Sequence, residues 1–183
     1  AKTAKVSTEL TFPNSPDTIY ILTDHKISDL KFEKEIGIPH EDYKVLISEE
    51  KKELYIRPSL TVNSSDDNDY RLEVRKRSAG RNEMDAMKKI DGLLYNYSIK
   101  NDTLLLDEYF TSPEGRKWSA DNIGINLYVP VGTVLKIDRN SNILFHSRFH
   151  NRFEEYSESG RRRSFNSLWV LTDDGLEPAE KAG

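Results

Sequence analysis

From Asn122 to Asp138 the chain alternates. Ile123, Ile125, Leu127 and Val129 occupy one set of positions, and Gly124, Asn126 and Tyr128 the other. A period of two marks a strand with one buried face. Pro130-Val131-Gly132 interrupts the pattern. Proline brings no N–H to a ladder, and glycine permits a sharp change of direction. Alternation resumes with Thr133, Leu135 and Ile137 on one face and Val134, Lys136 and Asp138 on the other. The stretch predicts strand, corner, strand.

The same pattern recurs along the chain. Residues 1–16 read as a polar leader with one alternating patch, Val6 to Phe12, closed by Pro13 and Pro16. Asp17 to Leu22 predicts a strand with apolar residues on both faces, and so one covered on both sides. Ile27, Leu30 and Phe32 form a short patch, and Tyr43 to Ile47 another. Glu53 to Arg57 is a strand ended by Pro58, with Leu60 and Val62 continuing it. Tyr70, Leu72 and Val74 alternate with Arg71, Glu73 and Arg75 in a half-buried strand. Leu93–Ile99 and Thr103–Phe110, joined at Asn101-Asp102, read as a β-hairpin. Leu168 to Thr172 is a last strand before the turn Asp173-Asp174-Gly175. Runs at 17–21, 52–56 and 102–106 echo one another weakly, as stacked, similar layers would.

One segment follows a different period. Gly80 to Asp91 is rich in helix formers, and Met84, Met87, Ile90 and Leu94 fall at spacings of three and four. That spacing predicts one short helix near 81–91 with the two methionines as core fillers. Asn82 suits its start and Gly92 its end.

Composition narrows the class. The chain has 183 residues, 36% hydrophobic and 32% charged, with a net charge of −4 and no cysteine. The high charged share predicts an elongated shape with much surface per residue. Without cysteine there is no disulfide frame, thiolate metal site or cysteine nucleophile. No apolar run has the length of a membrane span. The mildly acidic balance argues against a dedicated nucleic-acid binder. The chain starts at Ala1 and reads as a processed or cut-out piece of a longer protein.

Candidate chemistry is sparse. Asn63 to Asp69 is a polar, acidic run whose oxygens suit calcium, but it lacks the glycine and terminal glutamate of an EF-hand loop. A solvated hairpin loop is the plainer expectation. Arg75-Lys76-Arg77 is either an anion patch or the polar face and end of a strand, and its acidic neighbours favour the second. His146 and His150 would share a helix face, but Ser147 stands where a metal hydrolase carries glutamate. Arg161-Arg162-Arg163 lies near three glutamates and reads as a locally neutralised arm. No catalytic, cofactor or metal residue is expected. Trp118, in a polar loop, and Tyr109 and Tyr128 are the candidate residues for a ligand or partner surface, with Tyr95 behind them.

Three passages together carry a resemblance. They are Tyr70-Arg71-Leu72-Glu73-Val74 with Ser78-Ala79-Gly80 and its helix, Leu104 to Phe110 with Ile125 to Thr133, and Leu168-Trp169-Val170-Leu171-Thr172-Asp173-Asp174-Gly175-Leu176. The chain resembles the C-terminal region of PspC-domain (phage-shock-protein C) proteins of the Bacteroidetes type. The tail of such proteins is similar to the "toast-rack" β-domain and, more distantly, to adhesin-like envelope domains. The likeness covers residues 69–177. It implies a membrane-anchored bacterial envelope protein, inner-membrane anchored in full length, with this part on the periplasmic side. The anchor would lie outside this chain, and the resemblance brings no catalytic residues.

The fold expected is mainly β, a stacked-strand solenoid or toast-rack-like sheet with one short helix near 81–91. Residues 1–183 are expected to form a single extended β-domain. Within it, 69–177 would be the PspC-like part and 1–68 would add N-terminal β-layers, since no flexible linker separates them. The expected function is a non-catalytic interaction or sensing domain of an envelope stress protein, with a protein partner or self-association. The alternative is a carbohydrate-binding or adhesin-like module. An enzyme would need two positioned carboxylates, and the 31 acids offer no way to choose them.

Overall fold

The computed structural model describes residues 2–24, 32–37, 44–48, 53–113, 121–145 and 167–179, with 32–37 and 44–48 described by their backbone. The strands begin with β1 (Lys2–Thr11), β2 (Thr18–Asp24), β3 (Phe32–Gly37), β4 (Lys44–Ser48), β5 (Glu53–Ile56), β6 (Ser59–Ser65) and β7 (Arg71–Gly80). Helix α1 (Glu83–Asp91) follows, then β8 (Tyr97–Lys100), β9 (Thr103–Asp107) and β10 (Phe110–Pro113). β11 (Asn122–Pro130), β12 (Val134–Ile137), a 3-10 turn (Arg139–Leu144), β13 (Ser167–Thr172) and β14 (Gly175–Pro178) complete the order.

The strands form three sheets: sheet I in the order β1-β7-β11-β6, sheet II in the order β14-β13-β12-β2-β9-β8, and sheet III in the order β10-β5-β4-β3. The protein is mainly β, and its strands pair both ways. β2 runs parallel to β9 and β12, and β6 parallel to β11, while the remaining pairs are antiparallel. One hydrophobic core joins all three sheets, with Leu72, Ile125 and Leu127 from sheet I, Ile19, Leu104, Leu135 and Trp169 from sheet II, and Ile56 and Phe110 from sheet III.

The corner at Pro130–Thr133 carries the chain from inside sheet I to inside sheet II. Ile123, Ile125, Leu127 and Val129 are buried, and Gly124, Asn126 and Tyr128 half-buried, as the alternation predicts. Gly132 takes φ +97, a conformation that favours glycine. Its N–H donates to the Leu171 carbonyl at 2.8 Å, and Leu171 N–H donates to the Thr133 carbonyl at 3.0 Å. The corner is thereby fixed onto β13. A second change of sheet occurs at Arg57-Pro58: β5 belongs to sheet III and β6 to sheet I.

Several local expectations change. β1 is a ten-residue strand from Lys2, where a polar leader was expected. β2 is covered on one face only: Ile19, Ile21 and Thr23 are buried, but Tyr20 is 37% and Leu22 40% exposed. The Asp-rich loop begins at Asp66, after β6, and no hairpin exists there. β6 and β7 flank β11, so the turn crosses over the end of that strand. Asn68 at φ 67 and the Asp69 N–H donating to the Asp66 carbonyl close the turn. Helix α1 keeps its Asn82 and Gly92 caps but presents a different face. Met84 is 81% exposed, whereas Ala86 and Ile90, with Leu93 just beyond, are buried. The β8–β9 hairpin holds, with Asn101 at φ 57 in its two-residue turn. The echoing runs at 17–21 and 102–106 fall in parallel neighbours β2 and β9, while the third lies in sheet III.

Candidate interaction surfaces

The outward face of sheet I is polar throughout. β1 contributes Lys5, Ser7 and Glu9, β7 contributes Arg71, Glu73, Arg75 and Arg77, and β11 contributes Asn126 and Tyr128. Arg71 organises one end. Its Nε donates to Asp69 Oδ2 and its Nη1 to Glu9 Oε1, both at 3.2 Å, and its guanidinium lies 3.9 Å from the Tyr128 ring centre. The hydrogen bond to Asp69, with the nearby charges of Asp69 and Glu9, holds the Arg71 pKa above its ordinary value. Arg75 pairs with Glu73 at 3.1 Å, and Asn126 donates to Glu73 at 3.2 Å. Lys76 turns the other way and donates to the Leu93 carbonyl at 2.7 Å. Arg75 and Arg77 thus belong to the polar face near the end of a strand, and Lys76 does not.

The outward face of sheet II is different. Leu22 of β2 stands directly opposite Leu105 of β9, 40% and 38% exposed. Tyr20 stands opposite Thr103, and Lys136 lies between Tyr20 and Leu168 in the next row. Leu168 is 48% exposed, and the Lys136 ammonium sits 6.0 Å from the Tyr20 ring centre. Four large apolar side chains thus lie on one sheet face, a feature that marks interaction surfaces when contiguous. Sequence reading missed them because it assigned both faces of β2 to the core. The available signal was parity: Tyr20 and Leu22 alternate with Ile19 and Ile21, and Leu105 with Leu104 and Leu106.

The aromatic candidates separate. Tyr128 lies on the polar face of sheet I, with Arg71 over its ring. Tyr109 lies between β9 and β10, half-buried, with the Arg57 guanidinium 5.3 Å from its ring centre. Arg57 Nη2 also donates to the Tyr109 hydroxyl at 3.0 Å and reaches Glu108 Oε1 at 3.5 Å. Burial pushes the Tyr109 pKa up, and Arg57 opposes that shift. Tyr95 is buried and packs on Tyr97, so it offers no face to a ligand. Trp118 lies outside the described residues, as do His146, His150 and Arg161-Arg162-Arg163.

A pocket of about 460 Å³ opens where the Asp-rich turn meets the corner, lined by Asp17, Asp67, Asn68, Tyr70 and Pro130–Thr133. It brings two carboxylates together. Among the described residues no group of three or more His, Asp or Glu side chains could hold a metal ion. Two buried polar clusters lie elsewhere. Asp121 accepts from the Ser78 and Ser112 hydroxyls and so ties β7, β10 and the start of β11. Ser141 donates its N–H to Asp138 Oδ1 at 2.8 Å, and its hydroxyl shares a 2.6 Å bond with Thr23. Each has the geometry of a brace between elements.

A family described as the toast-rack found in some PspC proteins, at their C-terminus, matches residues 47–179. No curated protein and no solved structure matches the chain.

Proposed function

The chain belongs to the family of toast-rack domains found at the C-terminus of some PspC proteins, and from that membership we propose that it is a non-catalytic interaction or sensing domain of a membrane-anchored envelope protein. The domain would stand on the periplasmic side of a bacterial inner membrane and serve a phage-shock-type stress response. Its working part would be the rigid outer face of sheet II. A six-stranded sheet holds backbone positions fixed, so Tyr20, Leu22, Leu105 and Leu168 meet a partner with little ordering cost. We extend the reading to architecture. The parallel runs β12-β2-β9 and β6-β11 support a rack of stacked layers, in which β1 and β2 join the strands of the matched region as one unit.

The observation that carries the reading is the direct pairing of exposed Leu22 with exposed Leu105. The test is capture from envelope extract, with the folded domain as bait and Leu22→Glu/Leu105→Glu as control. Both positions point away from the core, so the control is expected to melt as the parent does. A protein partner held by the parent and lost by the control is the expected result. Capture unchanged in the control would reject this face. No captured protein, together with envelope polysaccharide bound in high salt, would replace the reading with a carbohydrate-binding one.

A further inference from the structure

We propose that β1 pairs with β1 of a second copy of this chain, in one antiparallel register, to make a continuous eight-stranded sheet. The proposal deepens the interaction reading and rests on it. β1 forms one edge of sheet I, and among the described residues β7 is its sole ladder partner. Proteins blunt such edges with proline, bulges, short strands or inward charges. β1 has no proline and no bulge and is not short, and its one charge of inward parity is Lys2 at its first residue. It runs ten residues, from Lys2 to Thr11, with unbroken register against β7, and holds no proline or glycine. Its inward-facing positions from Ala4 to Leu10 are Ala4, Val6, Thr8 and Leu10, and of its three charges Lys5 and Glu9 point outward while Lys2 lies at the strand's first residue.

The backbone sets the parity of any added strand. Phe12 N–H donates to the Tyr70 carbonyl at 3.0 Å, so the even positions turn their N–H and C=O groups toward β7. Thr3, Lys5, Ser7, Glu9 and Thr11 then turn theirs to the side away from β7, where no described residue pairs with them. Two copies related by a two-fold axis must pair odd positions with odd positions. Centring the axis at Ser7 places Lys5 opposite the partner's Glu9, and Glu9 opposite the partner's Lys5. The neighbouring centred registers set Lys5 against Ser7 or Thr11, and more distant ones set Lys5 or Glu9 against itself.

The charges already on sheet I favour the same register. Lys5 stands opposite Arg77, and Glu9 opposite Glu73. Like charges directly opposite are unfavourable. Pairing about Ser7 would complete each row as Arg77, Lys5, the partner's Glu9, the partner's Glu73. Each like pair is then flanked by an opposite one. On the inner face Ala4, which packs with Ala86 and Ile90 of α1, would lie beside the partner's Leu10. The two apolar interiors would meet along this seam.

The experiment is sedimentation of the whole chain over a concentration series, with Lys5→Glu, Glu9→Lys and their equimolar mixture. The parent is expected at twice the 21.1 kDa monomer mass at the upper concentrations. Each single variant sets like charges opposite one another at two symmetric places, and its self-association is expected to weaken about tenfold or more. The mixture restores both opposite pairs and is expected to restore the dimer. Both positions are exposed, so circular dichroism should match the parent. A monomeric parent at every concentration would overturn the proposal, as would a dimer indifferent to both charges. Either outcome leaves partner capture through Leu22 and Leu105 to be judged by its own variant. Capture unchanged by Leu22→Glu/Leu105→Glu, with the charge swap behaving as expected, would sink the partner reading alone.

Discussion

Tyr95 is held where the chain leaves α1 for β8. Its hydroxyl donates to the Asp107 carbonyl at 2.7 Å, and its ring stacks on Tyr97 with centres 5.8 Å apart. Burial, and then the charge of Asp107, push its pKa far above the ordinary tyrosine value. Tyr55 and Tyr109 are also raised, with burial the first cause in each. A raised folded pKa keeps the contribution whole below the unfolded pKa, about 10, and loses it as pH climbs toward the folded value. Stability should therefore fall steeply above roughly pH 10. Tyr95→Phe should cost about 1 kcal/mol at neutral pH and flatten that alkaline slope. Urea unfolding on both sides of the transition checks this, and an unchanged slope would reject Tyr95 as a source. Asp121 gives a second case. Its carboxylate accepts from two buried hydroxyls, so Asp121→Ala should strand both and cost about 1–3 kcal/mol. A denaturant midpoint at the parent value would show that the brace is dispensable.

At the scale of elements, α1 shows what local pattern can and cannot tell. Its existence and ends were legible. Asn82 Oδ1 accepts from Asp85 N–H at 2.8 Å, Asp85 accepts in turn from Arg81 N–H at 2.9 Å, and Gly92 closes the helix. Asn82→Ala should cost about 1 kcal/mol, read as a lowered melting temperature. The buried face was not legible, because Ala86, Ile90 and Leu93 fall at spacings of four and three just as the methionine-bearing face does. The helix lies so close to β7 that a Cβ at Gly80 would sit 2.5 Å from the Ala86 nitrogen. Close approach selects small residues, and no helical periodicity records the neighbour that demands them. Gly80→Ala should force helix and strand apart and cost about 1–3 kcal/mol. A neutral result would show that the contact gives way freely. The corner at Pro130–Thr133 was legible because alternation, proline and glycine fall within one stretch. The outer face of sheet II was not, since exposed Leu22 and Leu105 look like core residues until their strands are known to be neighbours. Tyr128 could be placed on an outward face by parity alone, but its cover by Arg71 comes from pairing across β7.

At the scale of the whole molecule, the question is what residues before the matched region contribute. The family match begins at residue 47, yet β2 lies between β12 and β9 in the interior of sheet II. Ile19 and Ile21 are wholly buried there, and Tyr20 N–H donates to the Asp102 carbonyl at 3.0 Å. β1 lines β7 along ten residue pairs. Such long-range pairing leaves no trace in local pattern, which is why the N-terminal run could be read as a leader. Cutting the chain to 47–179 would open a slot between β9 and β12, and would strip the ladder from one side of β7. Unpaired buried N–H and C=O groups cost about 1–3 kcal/mol each, against a total stability of about 5–15 kcal/mol for a domain. A few such losses exceed what a domain has to give. The full chain should unfold in one transition, and the 47–179 piece should show no cooperative melt and should bind a hydrophobic dye. A 47–179 piece that melts cooperatively within a few degrees of the full chain would reverse the argument, making β1 and β2 additions to a core that stands without them.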